Sequence, residues 1–292
     1  MTIATGAWAA ALTPLNQDLG IDAGAYVAHA QSLMAKGAAG IVALGTTGEA
    51  NSFSLDERRA LIAAIRDLPK QQVIVGTGCC SAPETVALTR TALEHGFANV
   101  LMLPPFYYKG VSDEGLFRAY ARVIETVNDP KLRVLIYDIP PQTGFALSVD
   151  LLRRLRDAFP ATVVGVKNSS GDWSAMEATL KALPGFQTFA GSEQYLLATL
   201  RAGGPGCISA VANINVGKLA EIVASRSDDQ QDRATQTRKA LQPFPTIAAL
   251  KEIMAHATGR DAWRTLRPPL IELTREQRTA LAALTERLDL TP

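Results

Sequence analysis

Eight short apolar runs, each followed by a longer polar or amphipathic stretch, limit most strongly what this chain can fold into. The runs are Gly6–Leu12, Gly40–Leu44, Gln72–Val75, Asn99–Leu103, Arg133–Tyr137, Thr162–Lys167, Phe186–Ala190 and Gly206–Ala210, several of them rich in Val and Ile. Between them lie helical patterns such as Asp22–Ala35, Leu55–Ile65, Pro83–Glu94, Glu114–Val127 and Ser174–Ala182, some opening on Ser or Asp or carrying proline in the first turn. Strands alternating with helices imply a parallel sheet, and eight such units predict closure into a (β/α)8 TIM barrel. An open doubly wound sheet is the alternative that unit counting leaves. The 292 residues suit a barrel of about 250 residues with extra terminal helices.

After Ala210 the pattern turns helical, at Gly217–Ala224, Ala234–Leu241, Ile247–His256 and Arg275–Leu288. The first of these is expected to close the barrel. Residues 226–292 then read as a helical C-terminal extension packed on a barrel of residues 1–225, in the same domain, because no Pro/Gly/Ser linker separates them.

Hydrophobic residues make up 47% of the chain, enough for a large core. Lys plus Arg number 29 against 28 Asp plus Glu, and this balance argues against nucleic acid or an anionic membrane as the main partner. Residues 1–11 lack a basic region followed by an apolar run, and no apolar stretch reaches the roughly 18 residues of a spanning helix, so a soluble cytoplasmic protein is expected. Cys79, Cys80 and Cys207 have no ligand-type spacing and read as small core residues. His29, His95 and His256 are scattered over helical patterns, which gives a metal site or a Ser–His couple no support.

In such a barrel the chemistry lies at the carboxyl ends of the strands. Side chains alternate along Val163-Val164-Gly165-Val166-Lys167, so Lys167 shares a face with Val163 and Gly165 and projects into the barrel mouth, while Val164 and Val166 suit the helix layer. Gly165 below it is expected to leave room for the lysine or for a ligand. Tyr137 closes the preceding strand, and neighbouring strands lie about 4.8 Å apart, so the two side chains can meet. Desolvation there favours the free amine, which attacks ketones to give an iminium, and a tyrosine hydroxyl can relay the protons. The competing reading is a lysine that snorkels to solvent beside a packing tyrosine. On the second strand, Gly45-Thr46-Thr47-Gly48-Glu49 reads as a tight turn whose glycines present backbone N–H groups, with two hydroxyls, to an anion such as a carboxylate. It lacks the Lys-Ser/Thr ending of a P-loop, and Gly76-Thr77-Gly78 lacks the third glycine of a dinucleotide fingerprint.

Gly45-Thr46-Thr47-Gly48-Glu49, Tyr137-Asp138-Ile139-Pro140, Gly165-Val166-Lys167 and Gly206-Cys207-Ile208-Ser209 occur in order and at the separations of a known family. From about Ala7 to Ile214 the chain resembles the dihydrodipicolinate synthase / N-acetylneuraminate lyase family, and the resemblance weakens beyond. It implies a class I, Schiff-base aldolase that needs no cofactor and no metal, is usually a tetramer built from two dimers, and acts on pyruvate or another 2-keto acid. It also implies Lys167 as the Schiff-base lysine, Tyr137 as the proton relay, and Thr46 and Thr47 as holders of the keto-acid carboxylate. Tyr108, in Phe106-Tyr107-Tyr108, is similar to the tyrosine that the synthases reach across a dimer interface, although Pro105-Phe106 stands where Thr-Pro is usual. Gly48, Gln142, Gly191, Glu193 and Ile208 are implied as further substrate contacts.

Where the synthases carry an arginine for the second substrate's carboxylate, this chain has Gln142, which cannot make a bidentate charged pair. The segment Lys167-Asn168-Ser169-Ser170-Gly171-Asp172 is closer to the lyases and sugar-acid aldolases. So is Glu193, which reads equally as a helix N-terminal acid. The resulting expectation is reversible cleavage of a 2-keto-3-deoxy sugar acid, or a related 4-hydroxy-2-keto acid, to pyruvate and an aldehyde. The alternatives are a dehydratase on the same iminium, a 4-hydroxy-tetrahydrodipicolinate synthase condensing pyruvate with aspartate semialdehyde, and a non-catalytic ligand-binding barrel.

Overall fold

In the computed structural model, which describes residues 2–290, the eight apolar runs form one closed parallel barrel in sequence order. The strands are β1 (Gly6–Ala10), β2 (Gly40–Ala43), β3 (Val73–Gly76), β4 (Asn99–Met102), β5 (Arg133–Asp138), β6 (Val163–Asn168), β7 (Gln187–Ala190) and β8 (Gly206–Ser209). Pairing of β1 with β8 closes the ring, so no strand edge is left open. The helices are α1 (Ala23–Ala35), α2 (Leu55–Ala64), α3 (Ala82–Glu94), α4 (Asp113–Val127), α5 (Pro140–Thr143), α6 (Val149–Ala158), α7 (Trp173–Ala182), α8 (Leu196–Arg201), α9 (Ala212–Ser225), α10 (Asp228–Leu241), α11 (Thr246–Thr258) and α12 (Arg275–Arg287). The expected segment ends at residues 1 and 291–292 lie outside the described residues. No helix among the described residues is long and apolar enough to cross a membrane.

The expected caps form where the sequence places them. Asp22 accepts from the Ala25 amide at 2.9 Å, Ser81, Ser112 and Ser148 cap α3, α4 and α6, and Ser54 with Glu57 makes a reciprocal capping box on α2. Helix α9 departs from expectation: it begins at Ala212 rather than Gly217 and is kinked at Asn215, whose φ is −146°. The Asn213 side chain explains the early start. Its amide donates to the Ala10 and Ala210 carbonyls, and its oxygen accepts from the Leu12 amide, so it ties the first turn to β1.

Strand alternation divides the core into two layers. Trp8, Val42, Ile74, Leu101, Leu135, Phe189 and Ile208 fill the barrel interior, and the intervening residues pack against the helices. The alternation fails once. Val134 pairs with Val163 but Leu135 pairs with Gly165, so Val164 is an extra residue that turns to the interior, whereas Val163 joins the helix layer. Beyond the bulge, Gly165 and Lys167 face inward as expected. Gly165, however, leaves no room for a ligand: a Cβ there would lie 2.2 Å from the Gln187 carbonyl oxygen and 2.8 Å from Leu135. Cys79 and Cys207 are buried, but Cys80 is exposed, because it stands in a bend between β3 and α3.

A third apolar cluster joins Leu12, Val211 and Ile214 of the barrel to Leu250, Ile253, Met254, Trp263 and Leu281 of the extension. Leu12 and Val211 lie just past the carboxyl ends of β1 and β8. This packing therefore fixes the extension beside the face on which the strand ends converge.

Candidate active site

The register of β5, β6 and β7 aligns Tyr137 with Lys167 and Lys167 with Phe189. Lys167 Nζ donates to the Tyr137 hydroxyl at 3.2 Å and lies 4.3 Å from the centroid of its ring. Both are buried, at 4% and 5% exposure, and Lys167 forms no ion pair among the described residues. The snorkelling alternative therefore does not describe this lysine. Burial pushes the Tyr137 phenol up, but the Lys167 charge, with hydrogen bonding from Thr46, Lys167 and Ser169, outweighs it and holds the phenol below its usual value. The pair thus combines an amine with a phenol whose proton is easily moved.

Thr46 and Thr47, half-buried after β2, face the same space. The turn is built differently from the sequence expectation. Its left-handed residues are Leu44 (φ 56°) and Glu49 (φ 58°), not the glycines. Gly48 is required by close approach: a Cβ would stand 2.8 Å from the Ala11 carbonyl oxygen, and Thr13 Oγ1 donates to the Gly48 carbonyl at 2.8 Å. Gly48 accordingly packs beneath the turn and does not line the cavity.

The cavity above Lys167 measures about 830 Å³, within the usual range of small-molecule sites. Of the residues singled out in the sequence, Lys167, Tyr137, Thr46, Thr47, Gln142 and Gly191 line it. Ile208 does not, because it is fully buried in the barrel interior. Glu193 does not either. It opens a short 3-10 turn over Glu193–Tyr195, as the helix-end reading has it, but it is closed to a ligand: it is fully buried, with Ser209 Oγ donating to its carboxylate and Gln231 Nε2 to its carbonyl. Burial pushes its carboxyl up, against the Arg238 charge and the Ser209 hydrogen bond. Tyr108 is 73% exposed and outside this chain's cavity; it stacks edge-on with Tyr107 at 5.4 Å.

Two features escape sequence reasoning. Asp138, beside Tyr137, is pushed up to about 6 by burial, and its carboxyl accepts from the Leu147 amide at 3.1 Å, which anchors the loop carrying Gln142. The extension also supplies one wall of the cavity, through Arg238, Thr246, Ile247, Leu270, Ile271 and Glu272. Arg238 forms no ion pair among the described residues. No local motif marks these positions, since which face of the extension meets the barrel is decided by long-range packing.

A profile of the Dihydrodipicolinate synthetase family matches residues 4–288, far past the point where the motif resemblance fades. The chain belongs to this family. Its members are class I aldolases and related lyases, and this chain is a lyase of that group. An uncharacterized DapA-like lyase of Chloroflexus aurantiacus is 32% identical over 97% of this chain and 96% of its own. A 4-hydroxy-tetrahydrodipicolinate synthase of Salinibacter ruber is 30% identical over 82% of this chain and 78% of its own. The crystal structure of dihydrodipicolinate synthase from Agrobacterium tumefaciens superposes with a TM-score of 0.92 at 33% identity, covering 97% of this chain and 99% of that one.

Proposed function

We propose that Lys167 forms a Schiff base with a 2-keto acid and that the enzyme reversibly cleaves a 2-keto-3-deoxy sugar acid, or a related 4-hydroxy-2-keto acid, to pyruvate and an aldehyde. The observation that carries this reading is the buried Lys167–Tyr137 contact of 3.2 Å at the base of a cavity also lined by two threonines. The free amine adds to the C2 carbonyl, and loss of water leaves the iminium. Removal of the C4 hydroxyl proton then lets the C3–C4 electron pair move into the iminium, which releases the aldehyde and leaves an enamine. Protonation at C3 and hydrolysis return pyruvate and the amine. Tyr137 is the proton carrier, and Thr46 and Thr47 hold the C1 carboxylate through their hydroxyls. The chain acts as one domain, in a cytoplasmic homotetramer in which the exposed Tyr108 enters a neighbouring subunit's site.

Borohydride reduction in the presence of pyruvate is expected to trap one adduct per chain, located on Lys167 by peptide mass analysis. An unmodified protein, or an adduct on Lys36 or Lys109 instead, defeats the mechanism.

The synthase reading has its own support in relatives named 4-hydroxy-tetrahydrodipicolinate synthase. Gln142 argues against it. An arginine–carboxylate contact is worth roughly 1.5–3 kcal/mol, so a neutral amide at that place should weaken aspartate semialdehyde use by about ten- to a hundredfold. Pyruvate release from 2-keto-3-deoxy sugar acids is expected to exceed synthase turnover in side-by-side assays, and Gln142→Arg to raise the latter. Efficient synthase turnover by the unmodified protein, lost in Arg238→Ala, would instead make Arg238 the carboxylate ligand and favour the synthase.

A further inference from the structure

The Thr46–Thr47 turn is held from outside the barrel. Glu49, which ends it, forms an ion pair with Lys251 of α11, and both side chains are fully buried. Lys251 Nζ also donates to the Thr265 carbonyl at 2.9 Å, and the Arg267 amide donates to the other Glu49 carboxylate oxygen at 3.3 Å. The Arg267 guanidinium then reaches back to the Leu19 and Ser52 carbonyls, each at 2.8 Å, and pairs with Glu57. Apart from the Lys251–Thr265 bond, which lies within the extension and holds the lysine in place, these contacts join the extension to the barrel on either side of the turn.

A buried ion pair is a poor way to gain stability. Two ions lose their hydration, and well-packed apolar residues of the same volume usually serve the fold as well or better. What a buried pair fixes well is geometry, because neither partner can move without leaving a charge unsolvated. Geometry is what this turn lacks on its own. Leu44 and Glu49 both hold left-handed conformations without being glycine, a backbone state that persists only when the surroundings enforce it. Between them stand the two threonines and, through Thr46, the hydrogen bond that helps to hold the Tyr137 phenol below its usual value.

We propose that Glu49 and Lys251 act as a positioning pair that clamps the strained turn, making α11 part of the apparatus that sets the keto-acid carboxylate site. The proposal rests on the reading of Thr46 and Thr47 as carboxylate ligands. It differs from a purely structural role in one respect: releasing the clamp loosens the turn and leaves the barrel intact.

Replacing Lys251 alone strands a buried carboxylate and risks unfolding, so the informative protein is the double variant Glu49→Gln/Lys251→Met, which removes both charges together. Amide exchange read by mass spectrometry over residues 44–51 is expected to accelerate by about tenfold or more, with β5 and β6 unchanged. The pyruvate concentration giving half-maximal borohydride trapping should rise by about tenfold, with the same yield at saturation because Lys167 is intact. Should the double variant not fold, Glu49→Gln alone, which keeps the shape of the side chain, is read in the same way. Unchanged exchange over 44–51, or acceleration spread evenly over the barrel, overturns the clamp. An unaltered half-saturation in a protein whose turn has loosened removes its link to carboxylate binding. Absence of any adduct in the wild-type protein counts against the reading of the site, and the exchange data still decide whether the pair clamps the turn.

Discussion

Lys167→Met is expected to abolish borohydride trapping and lower turnover on the order of 10⁴-fold or more, because no other group in the cavity can replace a lost covalent nucleophile. The same variant should fold at least as stably as the wild type. Met reproduces the length of the lysine stem, and the amine it replaces is buried with a tyrosine hydroxyl as hydrogen-bond partner and no carboxylate to offset its lost hydration. A melting temperature unchanged or raised by a few degrees, roughly 2–4 °C per kcal/mol for a protein of this size class, together with lost activity, separates a group kept for chemistry from one kept for packing. A marked fall in melting temperature with activity retained would reverse that assignment.

The contrast between Lys167 and Lys251 shows what the sequence could disclose. Both are buried lysines. Lys167 announces itself, because it closes an apolar run of period two, and that position in a parallel barrel opens on the catalytic face. Lys251 reads as one polar residue on a helical pattern, and its partner Glu49 lies some two hundred residues earlier; nothing local links them. The eight strands were legible for the same reason as Lys167, each run carrying its own signal. The bulge at Val164 was not, since it depends on how β6 pairs with β5 and leaves no mark in β6 itself. In the Thr46–Thr47 turn the glycines drew attention through their conformational freedom, yet the structure uses Gly48 for close approach to Ala11 and gives the left-handed states to Leu44 and Glu49. For Glu193 and Ile208, motif resemblance places the residue along the chain but not on the open side of a wall, and Glu193 is instead the buried helix-end acid that its sequence equally allows. The fold and the reacting pair were therefore readable, whereas the residues that shape the cavity arrive through tertiary packing of the extension.

Tyr137→Phe is expected to lose about 10²–10⁴-fold in turnover, the usual worth of a positioned acid–base group, while still forming an adduct with pyruvate. The phenylalanine ring keeps its place against Leu135 and Phe189 in the barrel interior, so the fold and the direction of Lys167 are preserved and only the hydroxyl is removed. Adduct formation persists because water in an open cavity can assist amine addition. Carbon–carbon cleavage suffers more, because the C4 hydroxyl proton needs an acceptor held in place. The pH dependence carries the distinction. In the wild type the phenol of the free enzyme is held below its usual value by the Lys167 charge and by Thr46 and Ser169, so kcat/KM should rise with pH along a limb that titrates below the ordinary tyrosine range. Tyr137→Phe should lack that limb. Wild-type turnover in this variant removes Tyr137 from the chemistry, whereas equal loss of adduct and turnover moves its role from the carbon–carbon bond to imine formation.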